Sequence, residues 1–122
     1  MLNKNERLTN RSAFIATYNQ RRIVSDENFV LYGGKNKIEQ NYPTRVGFVV
    51  SKKIHKRAVK RNKIKRLARE SYRILQKNGQ IQQASNFHSL IFVAKEGALC
   101  QNYKEICSSV KNLIQILAIK YL

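Results

Sequence analysis

The sequence contains little proline, glycine or cysteine and no long apolar run. One proline and five glycines in 122 residues form no tract typical of a flexible linker. No stretch is long and apolar enough to span a bilayer, and the N-terminus lacks the apolar run of a signal peptide. The two cysteines, Cys100 and Cys107, form no CxxC pair for zinc, so we expect free thiols in a cytoplasmic protein.

Acidic residues are scarce as well. Seven Asp and Glu stand against 24 Lys and Arg, which leaves a net charge of +17. This excess opposes a compact state by self-repulsion, and a polyanionic partner relieves the repulsion. Nucleic acid is the commonest such partner, and an anionic membrane surface is the second. Because 43% of the residues are hydrophobic, the chain is expected to form one domain, residues 1–122, around one modest core.

The residue types that catalysis by the protein itself would need are sparse and scattered. The seven carboxylates form no evident two-metal nuclease site. His55 and His88 stand alone in the sequence, without a nearby Cys, His or paired carboxylate. Gly33-Gly34 lacks the spacing of a nucleotide-binding fingerprint. We therefore expect a binding protein with no catalytic residue and no metal ligand of its own.

Hydrophobic periodicity predicts three helices and three strands. The helices are expected at residues 9–19, 57–76 and 103–121, and the strands at 28–33, 45–52 and 88–95. Thr9 or Asn10 is expected to cap the first helix, and Asn102 with Glu105 resembles a capping box for the last. The first two strands suggest an antiparallel pair, and the third is apolar enough to be buried on both faces. The order α-β-β-α-β-α indicates the α+β class, as a single α/β sandwich with one sheet.

A run of charge of one sign leads into the second helix. The thirty residues between Glu39 and Glu70 contain no carboxylate. They contain Arg45, Lys52, Lys53, Lys56, Arg57, Lys60, Arg61, Lys63, Lys65, Arg66 and Arg69. A solvated helix usually mixes both signs at i,i+4 spacing, so this segment gives up ion pairs and accepts repulsion.

On a helical wheel the second helix separates into two faces. Arg61, Asn62, Lys65, Arg66 and Arg69 fall within an arc of about 140°. Ile64, Leu67, Ala68, Ile74 and Leu75 fall opposite. Arg offers forked donors to phosphate oxygens and Lys a point charge, while the Asn62 amide can contact a 2′-hydroxyl or a base edge. The pattern predicts an RNA-binding face backed by a core-packing face.

Several segments together resemble the bacterial ribonuclease P protein family. Its RNR signature is matched within SKKIHKRAVKRNKIKRLARE (Ser51–Glu70), at Arg61-Asn62, Lys65-Arg66 and Arg69-Glu70. The segments RLTNRSAFIATY (7–18), NFVLY (28–32) and RVGFVVSKK (45–53) resemble the family's opening helix and first two strands. The chain departs from the pattern at His55-Lys56-Arg57, where many members have a glycine.

The resemblance implies a fold and a function. The fold is an α/β sandwich resembling a ribosomal-protein domain, with parallel strands joined by a left-handed βαβ crossover. The function is to assist removal of the 5′ leader from precursor transfer RNA, as the protein subunit of an endoribonuclease whose RNA subunit carries catalysis and holds Mg²⁺. The implied partners are that RNA, at one protein per RNA, and the 5′ leader, with neither DNA nor membrane.

The same resemblance implies two binding sites and no catalytic residue. The catalytic RNA is expected to contact Lys53, Lys56, Arg57, Arg61, Asn62, Lys65, Arg66 and Arg69. The leader is expected to contact Phe14, Tyr18, Val30, Tyr32, Ser51 and Lys52. Aromatic side chains beside cations commonly hold single-stranded RNA by stacking.

Three other classes of protein share parts of this pattern. A ribosomal protein or another structured-RNA chaperone would have the same size, charge and basic helix, and only its preferred RNA would differ. A DNA-binding module should present its recognition helix from a helix-turn-helix, whereas this basic helix lies between strands. A membrane-surface protein would need exposed apolar residues opposite the cations, whereas the core needs that apolar face here.

Overall fold

The computed structural model describes residues 4–37 and 42–122. Its helices are α1 (Arg11–Asn19), α2 (Ala58–Lys77) and α3 (Tyr103–Tyr121), and its strands are β1 (Arg22–Ser25), β2 (Phe29–Gly33), β3 (Arg45–Val49) and β4 (Ser89–Ala94). The α+β class is confirmed, and every predicted helix and strand is present with ends shifted by at most three residues. None of the described helices is long and apolar enough to cross a membrane.

The four strands form one mixed sheet in the order β1-β2-β4-β3. β2 pairs antiparallel with β4, and β4 pairs parallel with β3. The expected antiparallel pairing of β2 with β3 is therefore wrong, because β4 lies between them. β4 is the most apolar strand and is buried on both faces, and a central position is the only one that covers both of its edges as well.

The strand β1 was not predicted from the sequence. It forms a tight hairpin with β2, in which Arg22 pairs with Gly33 and Ser25 with Val30. The Asp26 carboxylate holds the turn by accepting hydrogen bonds from the N–H groups of Asn28 and Phe29, at 2.8 and 2.9 Å. The strand has four residues, too few to produce a clear alternating pattern, so the turn chemistry was its only signal.

The parallel pairing of β3 with β4 requires a crossover, and α2 provides it. α2 follows β3 after a short connection, packs on one face of the sheet beside α3, and is followed by a return to the start of β4. The left-handed sense of this crossover stays a prediction from the family resemblance.

The core lies between the sheet and the helix pair α2 and α3. From the sheet, Phe29, Leu31, Phe48 and Phe92 are buried, and the rings of Phe48 and Phe92 stack at 5.4 Å. From α2, the buried side chains are Ile64, Ala68, Ser71, Tyr72 and Leu75. Leu67 and Ile74, expected on the buried face, are only half-buried, whereas Tyr72 is buried and its ring meets that of Phe48 edge to face at 6.4 Å.

A short N-terminal segment covers the free edge of β3. Arg7 forms a parallel bridge with Val46, and the Leu8 N–H donates to the Val46 carbonyl at 3.0 Å. Leu8 itself is buried. This contact satisfies edge groups that would otherwise be open to pairing with another chain.

Leu75→Ala tests the position of the core. Leu75 is 3% exposed, so its loss should lower the free energy of unfolding by about 2–5 kcal/mol. Leu67→Ala should cost less, because Leu67 is half-buried, and Ile119→Ala, at 83% exposure, should change it by no more than about 0.5 kcal/mol. Urea unfolding monitored by circular dichroism measures all three, and an equal loss in the three variants would contradict this core.

Candidate nucleic-acid interface

The basic face of α2 points to solvent along its N-terminal half. Asn62, Arg66 and Arg69 are exposed, whereas Arg61 and Lys65 are half-buried. The opposite face carries the buried residues of the core, as the helical wheel predicts. The cations of residues 52–69 form no ion pair with any carboxylate in the described part of the chain. We call the surface formed by Lys53, Lys56, Arg57, Arg61, Asn62, Lys65, Arg66 and Arg69 the α2 face.

Basic side chains crowd the start of α2, where the helix N-terminus itself carries partial positive charge. The N-cap residue Arg57 makes no side-chain capping bond, and the first turn contains no acidic residue. Lys56, Arg57 and Lys60 are all exposed there. Because the N-terminus of a helix carries partial positive charge and unpaired N–H groups, this arrangement is unfavourable until an anion binds.

Arg61 has a role within the fold as well. Its Nη1 donates to the carbonyl oxygens of His55 and Lys56, at 2.9 and 2.8 Å. The N–H of Arg57 donates to Nδ1 of His55 at 3.0 Å. These bonds hold the connection between β3 and α2 in the region where the chain lacks the family's glycine. Arg61 is therefore a positioning residue, and its remaining N–H donors are left for an anion.

The α2 face ends at Glu70. The guanidinium group of Arg73 donates to Oε1 of Glu70 through Nη2 and, at 3.0 Å, through Nε. The hydrogen bond from Arg73 holds the pKa of the Glu70 carboxyl below its ordinary value. From this residue onward the helix surface mixes both signs, as a solvated helix usually does.

A second candidate site lies on the sheet face that the core does not use. There α1 packs across β2 and β4, and the rings of Phe14, Tyr18 and Tyr32 come together. The ring centroids of Phe14 and Tyr18 are 6.5 Å apart, and those of Tyr18 and Tyr32 meet edge to face at 4.7 Å. All three are half-buried, so each ring keeps a surface open to solvent.

Gly47 is what allows α1 to lie this close to β3. A Cβ atom built on Gly47 would come within 2.7 Å of Cζ of Phe14, so any side chain there would push the ring away. A glycine inside a strand often marks such a close approach, and this was the sequence signal that could have identified the position.

A row of valines lies beside the aromatic rings. Val30, Val93 and Val49 are register partners across β2, β4 and β3, on the same face as Tyr32. All three are half-buried, because α1 covers the row of Tyr32 and Gly47 and not the row of valines. We call the space bounded by Phe14, Tyr18, Tyr32 and this valine row the α1 cleft. Val30 was predicted, and Val49 and Val93 were missed because they read simply as core residues of apolar strands.

The remaining predicted leader contacts stand where the α1 cleft approaches the α2 face. Ser51 and Lys52 follow the end of β3, two and three residues after Val49, and both are exposed. The connection that begins with them leads into α2. The two sets of predicted site residues are thus connected through the C-terminal end of β3.

The position of α1 is fixed by polar contacts. Asn10 caps the helix by accepting from the Ser12 N–H at 2.8 Å, which confirms one of the two predicted caps. Near the other end, Thr17 is buried, donates to the Ala13 carbonyl at 2.8 Å and shares a short hydrogen bond with Ser89 of β4. These contacts hold the helix over one part of the sheet, so α1 leaves the same part of the sheet uncovered.

Burial changes the chemistry of Tyr18. Burial raises the pKa of the Tyr18 hydroxyl, and the neighbouring Tyr32 raises it further. Like an unperturbed tyrosine, Tyr18 is neutral near pH 7, so its hydroxyl can donate to a phosphate or base while its ring offers a stacking surface.

The described residues offer no metal centre. No three His, Cys, Asp or Glu side chains within residues 4–37 and 42–122 are placed to hold a metal ion together. His55 is half-buried in the connection before α2, and His88 lies at the start of β4 beside basic residues.

Comparison with known proteins identifies relatives along nearly the whole chain. The Ribonuclease P family model matches residues 2–118. The ribonuclease P protein component of Clostridium kluyveri is 38% identical over 109 residues, which cover 89% of this chain and 91% of that protein. That of Clostridium novyi is 37% identical, with 93% and 95% covered.

Solved structures give the same result for the fold. The ribonuclease P protein of Staphylococcus aureus superposes with a TM-score of 0.72 at 26% identity, covering 93% of this chain and 95% of that one. The ribonuclease P protein of Thermotoga maritima superposes with a TM-score of 0.73 at 25% identity, covering 91% and 96%. The α/β sandwich is therefore the fold that these two proteins share with this chain.

The two roles of Arg61 predict a difference between arginines of one face. Arg61→Ala removes two hydrogen bonds to the connection before α2, so the free energy of unfolding should fall by about 0.5–1.5 kcal/mol. Amide hydrogen exchange should also accelerate at Arg57. Arg66→Ala, on the exposed part of the same face, should change the free energy of unfolding by no more than about 0.5 kcal/mol and should leave amide exchange at Arg57 unchanged. Equal behaviour of the two variants would remove the positioning role.

Proposed function

This chain belongs to the ribonuclease P protein family, and from that premise we propose that it binds the ribonuclease P RNA subunit through the α2 face and the 5′ leader of precursor transfer RNA through the α1 cleft. Membership of the family makes it a protein component of the endoribonuclease that processes transfer RNA. The division of that role between two surfaces, and the assignment of catalysis to the RNA subunit, are the proposal.

The observation that carries the RNA-binding part is the unneutralised charge of the α2 face. Its cations lack carboxylate partners among the described residues, and several crowd the positive end of a helix. Bound phosphates would relieve the repulsion among these cations and the repulsion between the cations and the helix N-terminus, and their binding releases condensed counterions. The exposed amide of Asn62 lies among these cations and supplies, besides N–H donors, an acceptor that Arg and Lys side chains lack.

The leader-binding part follows from the chemistry of the α1 cleft. Its three aromatic rings keep open surfaces, and a floor of half-buried valines lies beside them. Every base has a stackable face, so this cleft would accept single-stranded RNA with little preference for sequence. Lys52, exposed at the end of the neighbouring strand, would contact the backbone of the same strand of RNA.

We assign the Mg²⁺ ions of the reaction mainly to the RNA subunit, with one protein bound per RNA. The described residues provide no set of three carboxylate, thiolate or imidazole donors for a metal ion. The contribution of the protein would be electrostatic, because its cations reduce phosphate repulsion that Mg²⁺ would otherwise screen. A cytoplasmic location remains a prediction from the sequence.

Reconstitution tests the function directly. The protein alone should leave precursor transfer RNA uncleaved, whereas its addition to a bacterial ribonuclease P RNA should lower the Mg²⁺ concentration that gives half-maximal leader removal. The double variant Arg66→Ala/Arg69→Ala should lose part of this effect, because two phosphate ligands are gone.

Lys77→Ala/Lys104→Ala is the matched control, since it removes the same charge from exposed positions outside both sites. Cleavage by the RNA-free protein would overturn the assignment of catalysis to the RNA subunit. Equal losses in the two double variants would mean that net charge alone matters and would remove the α2 face as a specific site.

The α1 cleft predicts a defect that depends on the leader. Tyr18→Ala or Tyr32→Ala should weaken holoenzyme binding to precursor transfer RNA by about 1–3 kcal/mol, roughly 5- to 150-fold, if a base stacks on the ring. Binding of mature transfer RNA, which has no leader, should be unchanged. Tyr32→Phe keeps the ring and should bind like the wild type.

Tyr103→Ala provides the control for loss of a tyrosine, because this side chain is exposed on α3 away from the cleft. Fluorescence titration with both RNAs measures the four variants. Equal weakening of precursor and mature RNA, or no weakening of either, would show that the leader does not lie in the α1 cleft.

A further inference from the structure

A basic cavity lies at the end of the sheet opposite the start of α2. Its volume is about 650 Å³, and it is lined by Asn5, Lys35, Lys37, Tyr42, Pro43, Arg45 and His88. Three of these seven residues are cations and one is a histidine, and the described part of the lining includes no carboxylate. Within the described chain, Lys35 and Arg45 also have no ion-pair partner elsewhere.

Backbone hydrogen bonds hold these basic residues side by side. The N–H of His88 donates to the Lys35 carbonyl at 2.8 Å, and the N–H of Arg45 donates to the His88 carbonyl at 3.3 Å. The ladder of the sheet thus continues past the ends of β2, β3 and β4 and brings three separate segments together. Lys37 is tied down as well, because its Nζ donates to the Tyr42 carbonyl at 2.7 Å.

The titration of His88 reflects the field in this cavity. Partial burial lowers the pKa of the His88 imidazole, and the charges of Lys35, Arg45 and Lys37 lower it further. Burial also lowers the pKa of the Lys37 ammonium group. The four groups therefore repel added positive charge, which is the condition that an anion would relieve.

This cavity is separate from both surfaces assigned above. Arg45 begins β3 and Val49 ends it, so the strand alone separates the cavity from the end that carries Ser51 and Lys52 by about 13 Å. A single phosphate group cannot contact both ends. An anion held here is an additional contact.

We propose that the cavity of Lys35, Lys37, Arg45 and His88 is a second RNA-backbone site that binds a phosphodiester group. The guanidinium group of Arg45 provides paired donors, Lys35 a mobile point charge and His88 a ring N–H. The amide of Asn5 and the exposed ring of Tyr42 line the same cavity and offer a hydrogen bond and a stacking surface to the attached nucleotide. The site rests on the proposed function only in that its ligand is RNA.

The two histidines of the chain respond separately to binding in the two regions. His55 lies in the connection before α2, and His88 lies in the cavity. Proton NMR can follow the imidazole signals during pH titrations of the protein alone, with inorganic phosphate, and with a short single-stranded RNA. RNA should raise the His88 pKa, because a bound phosphodiester offsets the neighbouring cations, and inorganic phosphate should raise it less at equal phosphate concentration.

The double variant Lys35→Ala/Arg45→Ala should remove the response of His88 to RNA and preserve the response of His55. In binding to a bacterial ribonuclease P RNA, it should reduce the magnitude of the log–log salt slope by about 0.7–0.9 for each phosphate that the variant no longer binds. Lys77→Ala/Lys104→Ala should leave the slope unchanged, although it removes the same charge. Circular dichroism should give wild-type unfolding for both, since all four side chains are exposed.

The outcomes distinguish failure of this site from failure of the proposed function. If RNA moves the His55 signal and leaves His88 unchanged, the second site is wrong and the α2 face stands. If RNA moves neither signal and ribonuclease P RNA is not bound, both proposals fail. An equal response of His88 to phosphate and to RNA would identify a free-phosphate site and overturn the proposal. An equal decrease of the salt slope in the two double variants would also overturn it.

Discussion

The parallel pairing of β3 with β4 is the constraint on which the rest of this structure depends. Parallel neighbours cannot be joined by a tight turn, so the chain must leave the end of β3, cross the sheet and return to the start of β4. α2 makes that crossing and begins soon after β3 ends. The basic N-terminus of α2 and the open valine row are therefore placed at one end of the sheet. The starts of β3 and β4, with Arg45 and His88, are placed together at the other.

Cations repel one another over much of this surface, and burial of the apolar core offsets that repulsion. The net charge is +17, and the basic part of α2 has no carboxylate partner among the described residues. Stability comes instead from the apolar layer between the sheet and the helix pair, where Phe92, Tyr72 and Leu113 are buried. The two faces of α2 separate these contributions, since one face packs in the core and the other remains available to an anion. Such a protein is expected to be more stable when bound to a polyanion than when free.

The α1 cleft results from a mismatch in size between a helix and the sheet it covers. α1 has nine residues and is about 13 Å long, too short to cover a four-stranded sheet. It covers the row of Tyr32, Ile91 and Gly47 and leaves the next row, of valines, half-exposed. The close approach at Gly47 and the Thr17–Ser89 hydrogen bond keep the helix there. This apolar floor beside aromatic rings is the physical basis of our proposal that the α1 cleft binds unpaired bases.

Local periodicity and charge were enough to predict the class of fold, the six elements and the two faces of α2. Phe14 and Tyr18 could be placed on one helix face for the same reason. Three features became visible only in the folded chain: β4 separates β2 from β3, Arg61 holds the connection before α2, and Lys35, Arg45 and His88 share a cavity. The strand order and the cavity join residues far apart in the chain, and the role of Arg61 depends on hydrogen bonds to the backbone carbonyls of a connection without regular structure. No local pattern of side chains records such contacts, since they depend on where the folded chain returns upon itself.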